Sequence, residues 1–163
     1  MTAVTFIGSS IKWIPTLLTD LMSVFEEPLD VRMLDLSEEP ARLCCQWGEA
    51  ASARLGRKDR FTPFTNRADA LQGTDAVLIT LSTGGLSAME QDIAIPERYG
   101  IYATVGDTAG PGGWSRTIRN IPVFREFSDD LARICPTAFI ANYSKPLSAL
   151  TAVLERCAPN PAV

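Results

Sequence analysis

The chain has 163 residues, 46% of them hydrophobic and 21% charged, with a formal net charge of −4 and a pI near 4.8. That is the length of one ordinary domain, enough to take roughly 70% of the unfolded surface out of water. The negative balance excludes nucleic acid as a main partner, and no stretch approaches the ~18 uncharged apolar residues of a membrane span.

"AVTFIG" (3–8) is short, β-branched and aromatic, and it ends in glycine, which predicts a buried strand. A helix follows with Trp13, Leu17, Leu18, Leu21 and Val24 at helical spacing, and Pro15 in its first turn. "LDVRMLDL" (29–36) is a second strand. Ser37 then stands as an N-cap, Glu38 and Glu39 suit the positive helix end, and Pro40 falls in the first turn. That helix runs to about Arg54 with Leu43, Trp47, Ala51 and Leu55 on one face. The basic run "RLGRKDR" (54–60) has no interleaved aromatics and reads as a solvated helix end.

"RFTPF" (60–64) is a short strand, and "DAVLITLS" (75–82), ended by "TGG", is the clearest strand of all. A long helix is expected from about Gly113 to Ile134, carrying Trp114, Ile118, Ile121, Phe124, Phe127 and Leu131, with a bend at Pro122. "AFIANYS" (138–144) is the next strand and "PLSALTAVLERC" (146–157) the last helix. Strand–helix alternation of this kind predicts an α/β fold, a Rossmann-like doubly wound, mainly parallel sheet with helices on both faces. The four cysteines form no C-x-x-C pair and are expected as buried free thiols. There is no histidine, the commonest metal ligand and general base. The first residues show no basic n-region and no cleavage site, so a cytoplasmic location is expected.

In such sheets ligands bind at the carboxyl ends of the strands. Those ends carry Gly8, Ser9 and Ser10; Asp35; Thr83 and Gly84; and Asn142. "FIGSSIKW" (6–13) is a strand, a small-residue turn and a helix, the arrangement that lets a backbone approach a pyrophosphate. Only one glycine of the usual G-x-G-x-x-G remains, so the turn alone fits a plain connection equally well. Asp35 adds to it, because an acid at the end of the second strand binds ribose hydroxyls and disfavours a 2′-phosphate. The pair points to dinucleotide binding, with NAD preferred over NADP. Asn142 fits either a polar contact to a ligand or a loop cap. Among the acids near "GDTAGPGGW" (106–114), Glu90 suits the surface, whereas Asp107 is flanked by glycine and small residues that leave it unshielded.

The motifs "FIGSS", "LDL", "ADALQGTDAVLITLSTGG", "IPERYGIY", "VGDTAGPGGWSRTIRNIPVF" and "PTAFIANYSKPLSALTAVL" follow one another along essentially the whole chain. In this order they resemble the family 4 glycoside hydrolases, and "MEQDIAIPERYGIY" with "VGDTAGPGG" looks most like the branch acting on α-galacturonides. The resemblance implies hydrolysis of O-glycosyl bonds assisted by tightly held NAD. The sugar is oxidised at C3, a base removes the C2 proton, the glycosidic oxygen is eliminated, water adds, and the hydride returns. A divalent metal, usually manganese, stabilises the enolate.

By position, the resemblance makes Gly8, Ser9 and Ser10 the cofactor turn, Asp35 the ribose acid, and Thr83 and Gly84 the strand end that passes the cofactor. Asn142 opens the family's N-x-T-N-P motif and contacts the sugar, and Asp107 matches the acid that raises the basicity of the catalytic tyrosine. The chain departs from the pattern in four ways. The cofactor turn is one residue short with fewer glycines. Met89 stands where phospho-sugar members carry arginine, which argues against a 6-phosphorylated substrate. Lys145 replaces the second asparagine of the motif and offers a cation to a uronate carboxylate. The family's metal ligands, catalytic acid and tyrosine follow the last helix, so residues 1–163 are expected to be the N-terminal NAD-binding domain without the C-terminal catalytic, metal-binding domain, and to hydrolyse nothing alone. The implied partners are a small-molecule sugar or uronide and further copies in a homo-oligomer. Two alternatives are an NAD-dependent dehydrogenase domain of the lactate and malate type, and a degenerate, non-catalytic nucleotide-binding module.

Overall fold

Each strand-like run of the sequence forms a strand, and the five lie side by side in parallel. The computed structural model describes residues 1–105 and 107–163. The strands are β1 (Thr2–Ile7), β2 (Leu29–Leu34), β3 (Arg60–Phe64), β4 (Ala76–Ile79) and β5 (Phe139–Asn142), in sheet order β3-β2-β1-β4-β5. The helices are α1 (Ile14–Val24), α2 (Glu38–Arg54), α3 (Arg67–Leu71), α4 (Gly85–Glu97), α5 (Gly110–Ile134) and α6 (Leu147–Cys157). This is the doubly wound α/β order, with the chain running outward from β1 on one side and returning to β4 on the other.

Two cores flank the sheet. One packs α1 and α2 against Val4, Phe6, Val31 and Met33; the other packs α3, α5 and α6 against Ile7, Val77, Ile79 and Ile140. Burial of both faces explains the near-continuous apolar runs of the strands. Among the described residues no helix is long and apolar enough to cross a membrane. Outside β5, Pro161–Val163 extend the sheet by hydrogen bonds such as Asn142 N–H to Val163 O at 2.8 Å, next to a parallel bridge from Ala162 to Ile140.

The helices bury faces other than those expected. α1 starts at Ile14, so its inner stripe is Ile14, Leu18 and Met22, while Trp13 (68% exposed) and Val24 point outward. α2 buries Ala41, Cys44, Cys45, Gly48 and Ser52 instead of Leu43 and Leu55. A Cβ on Gly48 would collide with the Phe61 ring, so small residues bring α2 close to β3 and leave its leucines in solvent. Ser37 holds the N-cap position but its side chain makes no capping bond. α5 starts at Gly110, three residues earlier than expected, and α3 and α4 were not foreseen. Three thiols are buried as expected, but Cys157 is exposed. Burial pushes the Cys44 thiol up to about 11 and Cys45 up to about 12, so neither is a thiolate at neutral pH.

In the basic run at 54–60, Arg54, Lys58 and Arg60 are exposed as a solvated helix end would have them, but Arg57 is not. Arg57 donates through Nε and Nη2 to Asp59 at 2.8 and 2.9 Å, and it reaches the carbonyls of Met22 in the last turn of α1 and of Phe25 and Glu27 just after it. Asp59 also accepts from the Leu29 amide and the Ser52 hydroxyl, both at 2.8 Å. Arg60 and Arg32 share Asp30, at 2.7 and 3.0 Å. Distant carbonyls turn Arg57 inward, and a local reading of composition cannot see them.

Candidate functional site: a cleft at the carboxyl ends of β1 and β4

Because the chain leaves β1 for opposite sides of the sheet, the loops after β1 and β4 diverge and open a crevice between them. A cleft of about 1170 Å³ lies there. It is lined by Gly8, Ser9, Ser10, Asp35, Thr83 and Gly84, all six residues that the sequence assigned to a cofactor.

The turn after β1 is held in shape from both sides. Gly8 has φ +94°, and a Cβ there would stand 3.1 Å from the Thr80 carbonyl, so only glycine suits the position. Thr80 Oγ1 donates to Gly8 O at 2.8 Å, and the Gly8 amide donates to Leu34 O at 2.9 Å. The Ser10 carbonyl accepts from the Trp13 and Ile14 amides, which starts α1. Since Ser9, Ser10 and Trp13 line the cleft, the positive end of α1 opens into it.

Asp35 closes the opposite wall. One carboxylate oxygen accepts the Ser9 amide at 2.8 Å and the other accepts the Ser37 amide at 3.4 Å. A carboxylate has about four acceptor positions, so about two remain for hydroxyls.

The loop after β4 is tied to α5. Thr83 Oγ1 donates to Asn120 Oδ1 at 3.0 Å, and Arg119 Nε donates to Thr83 O at 3.2 Å. Arg119 also grips Asp92 of α4 with two bonds, of 3.2 and 2.7 Å. The Arg119 guanidinium holds the Asp92 carboxyl below the usual range; burial opposes it, while Ser115 and the Arg116 charge help. Gly84, at φ +84°, leaves room that a Cβ would take from Ala88 and Arg119.

Asp107, Asn142 and Lys145 do not line this cleft. Asp107 sits in the turn before α5, accepting the Thr108 hydroxyl at 3.0 Å, and the Thr108 backbone lies where a Cβ on Gly113 would go. Asn142 is buried, donating to Thr151 Oγ1 at 3.0 Å and Leu147 O at 3.4 Å and accepting the Ser144 amide at 2.9 Å. Lys145 is exposed in the turn before α6. Gly106 lies outside the described residues.

Arg67 and Phe127 line the cleft without having been assigned to a site, and Arg116, Arg119 and Asn120 on α5, which do not line it, hold Ser82 and Thr83 of its wall from behind. Arg67 lies 4.8 Å over the Phe127 ring and pairs with Asp130 at 3.1 Å. The available signals were the 116, 119, 120 spacing, which marks one polar helix face, and Asn66, which caps α3 through the Ala68 amide at 2.8 Å. Among the described residues no group of three or more cysteines, aspartates or glutamates could hold a metal ion, and there is no histidine. The residues present do not fit a manganese site.

The model of the family 4 glycosyl hydrolases matches residues 3–163. The chain belongs to that family. It is 33% identical to the α-galacturonidase of Thermoanaerobacterium saccharolyticum over 154 residues, which is 93% of this chain and 33% of that protein. Bacillus subtilis lplD superposes with a TM-score of 0.90 at 33% identity, covering 99% of this chain and 37% of that one. A 6-phospho-α-glucosidase from gut microorganisms, solved with NAD and Mn2+, superposes with a TM-score of 0.83 at 21% identity, covering 99% of this chain and 38% of that one. The chain thus spans about a third of the relatives it matches. Family membership weighs against the lactate- and malate-type dehydrogenase alternative.

Proposed function

We propose that residues 1–163 are the cofactor-binding domain of an NAD-dependent family 4 glycosidase acting on α-galacturonides. The observation that carries this reading is convergence: residues from three separate segments, chosen from sequence for one ligand, line one cleft at the switch point of the sheet. The cleft suits a dinucleotide in size and in chemistry. Gly8, Ser9 and Ser10 at the α1 end receive the pyrophosphate, and the remaining acceptor positions of Asp35 receive the ribose hydroxyls. When bound, NAD supplies reversible hydride acceptance. Thr83 and Gly84 form the wall beside it, held by Arg119 and Asn120.

On the substrate side the reading keeps Asp107, Asn142 and Lys145. Asp107 tunes a tyrosine base that the rest of such an enzyme supplies together with the metal ligands. Asn142 turns to the sugar by giving up its 3.4 Å bond to Leu147 O, the longest of its three. Lys145 adds a cation at the end of β5. A cytoplasmic location and a homo-oligomeric assembly complete the proposal.

Thermal melting with added nucleotide tests the cofactor assignment. NAD at about a hundred times its dissociation constant stabilises a protein by about 2.7 kcal/mol. NADP is expected to give a smaller shift, and Asp35→Asn is expected to narrow the difference. Absence of any shift at millimolar NAD would overturn the assignment and leave the degenerate module. Turnover of a p-nitrophenyl galacturonide by the 163-residue chain alone would overturn the division of the catalytic site.

A further inference from the structure

α5 turns three polar side chains toward the end of β4, and two of them are fully engaged. Arg119 holds Asp92 and Thr83; Asn120 accepts from Thr83 and donates to Arg116 O at 2.8 Å. Arg116 differs from both. Its Nη2 donates to Ser82 Oγ at 2.9 Å, its Nε is buried with no hydrogen-bond partner, and among the described residues it makes no ion pair. Nε–H and Nη2 form the side-on edge of a guanidinium, the edge whose two parallel donors match the two oxygens of a carboxylate. Here a single hydroxyl sits on half of that edge, and the other half is enclosed without an acceptor. A buried donor without a partner is costly, so it persists where something else satisfies it. Ser82 lines the cleft and Arg116 stands behind it, so the edge meets the cleft only where the Ser82 hydroxyl moves aside.

We propose that Arg116 is the carboxylate-recognising residue of this site, taking the acid group of a uronide on its Nε and Nη2 edge while the Ser82 hydroxyl rotates to donate to the same group. This rests on the reading of the chain as a uronide-specific family 4 domain and names the residue that makes it so. Asp92 does not compete for the cation, because Arg119 already holds both of its oxygens. Lys145 offers only a solvated point charge on a flexible stem, whereas the Arg116 fork is preset by the helix and by Ser82.

The test titrates D-galacturonate and D-galactose into the 163-residue chain, with and without NAD, following the Arg116 Nε–H resonance. Galacturonate is expected to bind about tenfold tighter than galactose and to shift that resonance. Arg116→Gln is expected to abolish the preference with galactose binding, NAD binding and melting temperature unchanged, and Arg116→Lys to restore little of it. Lys145→Gln, which removes a solvated cation, is expected to lower the preference only slightly. Loss of the preference in Lys145→Gln but not in Arg116→Gln overturns the inference, as does equal binding of the two sugars. NAD binding without uronate preference overturns this inference alone. Arg116-dependent preference without NAD binding overturns the cofactor reading alone.

Discussion

The two ends of the sheet carry aspartate–arginine clusters that look alike in composition and differ in how fully their donors are engaged. At the amino ends of β2 and β3, Asp30 is shared by Arg60 and Arg32, and Asp59 is ringed by Arg57, the Leu29 amide and Ser52. Arg57 in turn spends its remaining donors on three carbonyls, so no donor of the fork is left for anything else. At the carboxyl end of β4, Asp92 is answered by Arg119 while Arg116 keeps a buried Nε–H without an acceptor. The first cluster is closed and acts as architecture, locking the end of α1 to the sheet. The second contains a guanidinium with a buried donor that no group of the protein engages, at the end of the sheet where ligands bind.

Breaking the closed cluster should cost most. The Asp59 side chain is fully buried, and its removal leaves the Arg57 guanidinium in the interior without a counter-charge. Asp59→Ala is expected to lose about 3–5 kcal/mol in urea unfolding, with the slope of the transition unchanged. A loss under about 1 kcal/mol, the range of exposed pairs, would mean that water reaches Arg57 and that the cluster is not closed.

The open cluster should yield less to the corresponding change. Arg119 is 27% exposed, so water partly replaces a lost partner, and Asp92→Asn is expected to cost about 1–3 kcal/mol. Its local signature is faster amide exchange at Ser82–Gly84, because the same guanidinium holds Thr83 O. An Asp92→Asn loss larger than that of Asp59→Ala would reverse the ranking of the two ends.

Acid separates the clusters more gently. Arg60 holds the Asp30 carboxyl below the usual range against the cost of burial, with Arg32 assisting. Burial pushes Asp59 up, but Arg57, the Leu29 amide and Ser52 outweigh it and leave it lowered. Asp92 is lowered chiefly by Arg119. A carboxylate depressed in the folded state contributes stability that is complete above its unfolded pKa, about 3.9, and is lost as pH falls through the folded value. Melting temperature should therefore hold level from neutral pH to about pH 4 and then fall. Asp59→Ala should show a shallower fall than the parent; an equal slope would remove Asp59 from the linkage.

The comparison also explains what the sequence made legible. The strands were readable because short β-branched runs ended by glycine or polar residues have few other uses, and the strand ends led directly to Gly8, Asp35 and Thr83. The buried faces of α1 and α2 were not, because close packing at Cys44, Cys45 and Gly48 is carried by small residues that give a weak apolar signal. α4 gave no stripe at all, since its buried residues are Asp92 and Pro96. The charge clusters escaped because their closing contacts are distant: Arg57 pairs with nearby Asp59 but also reaches carbonyls about thirty residues away, and Arg119 finds Asp92 across 27 residues.

The smallest expected effect is the most discriminating. If Arg116 belonged to the architecture, its removal would resemble that of Asp92. If its edge is kept for a ligand, Arg116→Gln gives up one bond to a cleft-lining hydroxyl and also removes a buried donor that has no partner. It further removes a positive charge that repels Arg119 and attracts Asp92, so the gains and losses nearly cancel. The net change in urea unfolding should fall within about 0.5 kcal/mol of the parent, in either direction. Glutamine keeps much of the stem that packs on α5, so lost packing does not mimic a lost ion pair. A destabilisation matching Asp92→Asn would place Arg116 with the closed cluster and leave the carboxyl end of the sheet without a donor to spare.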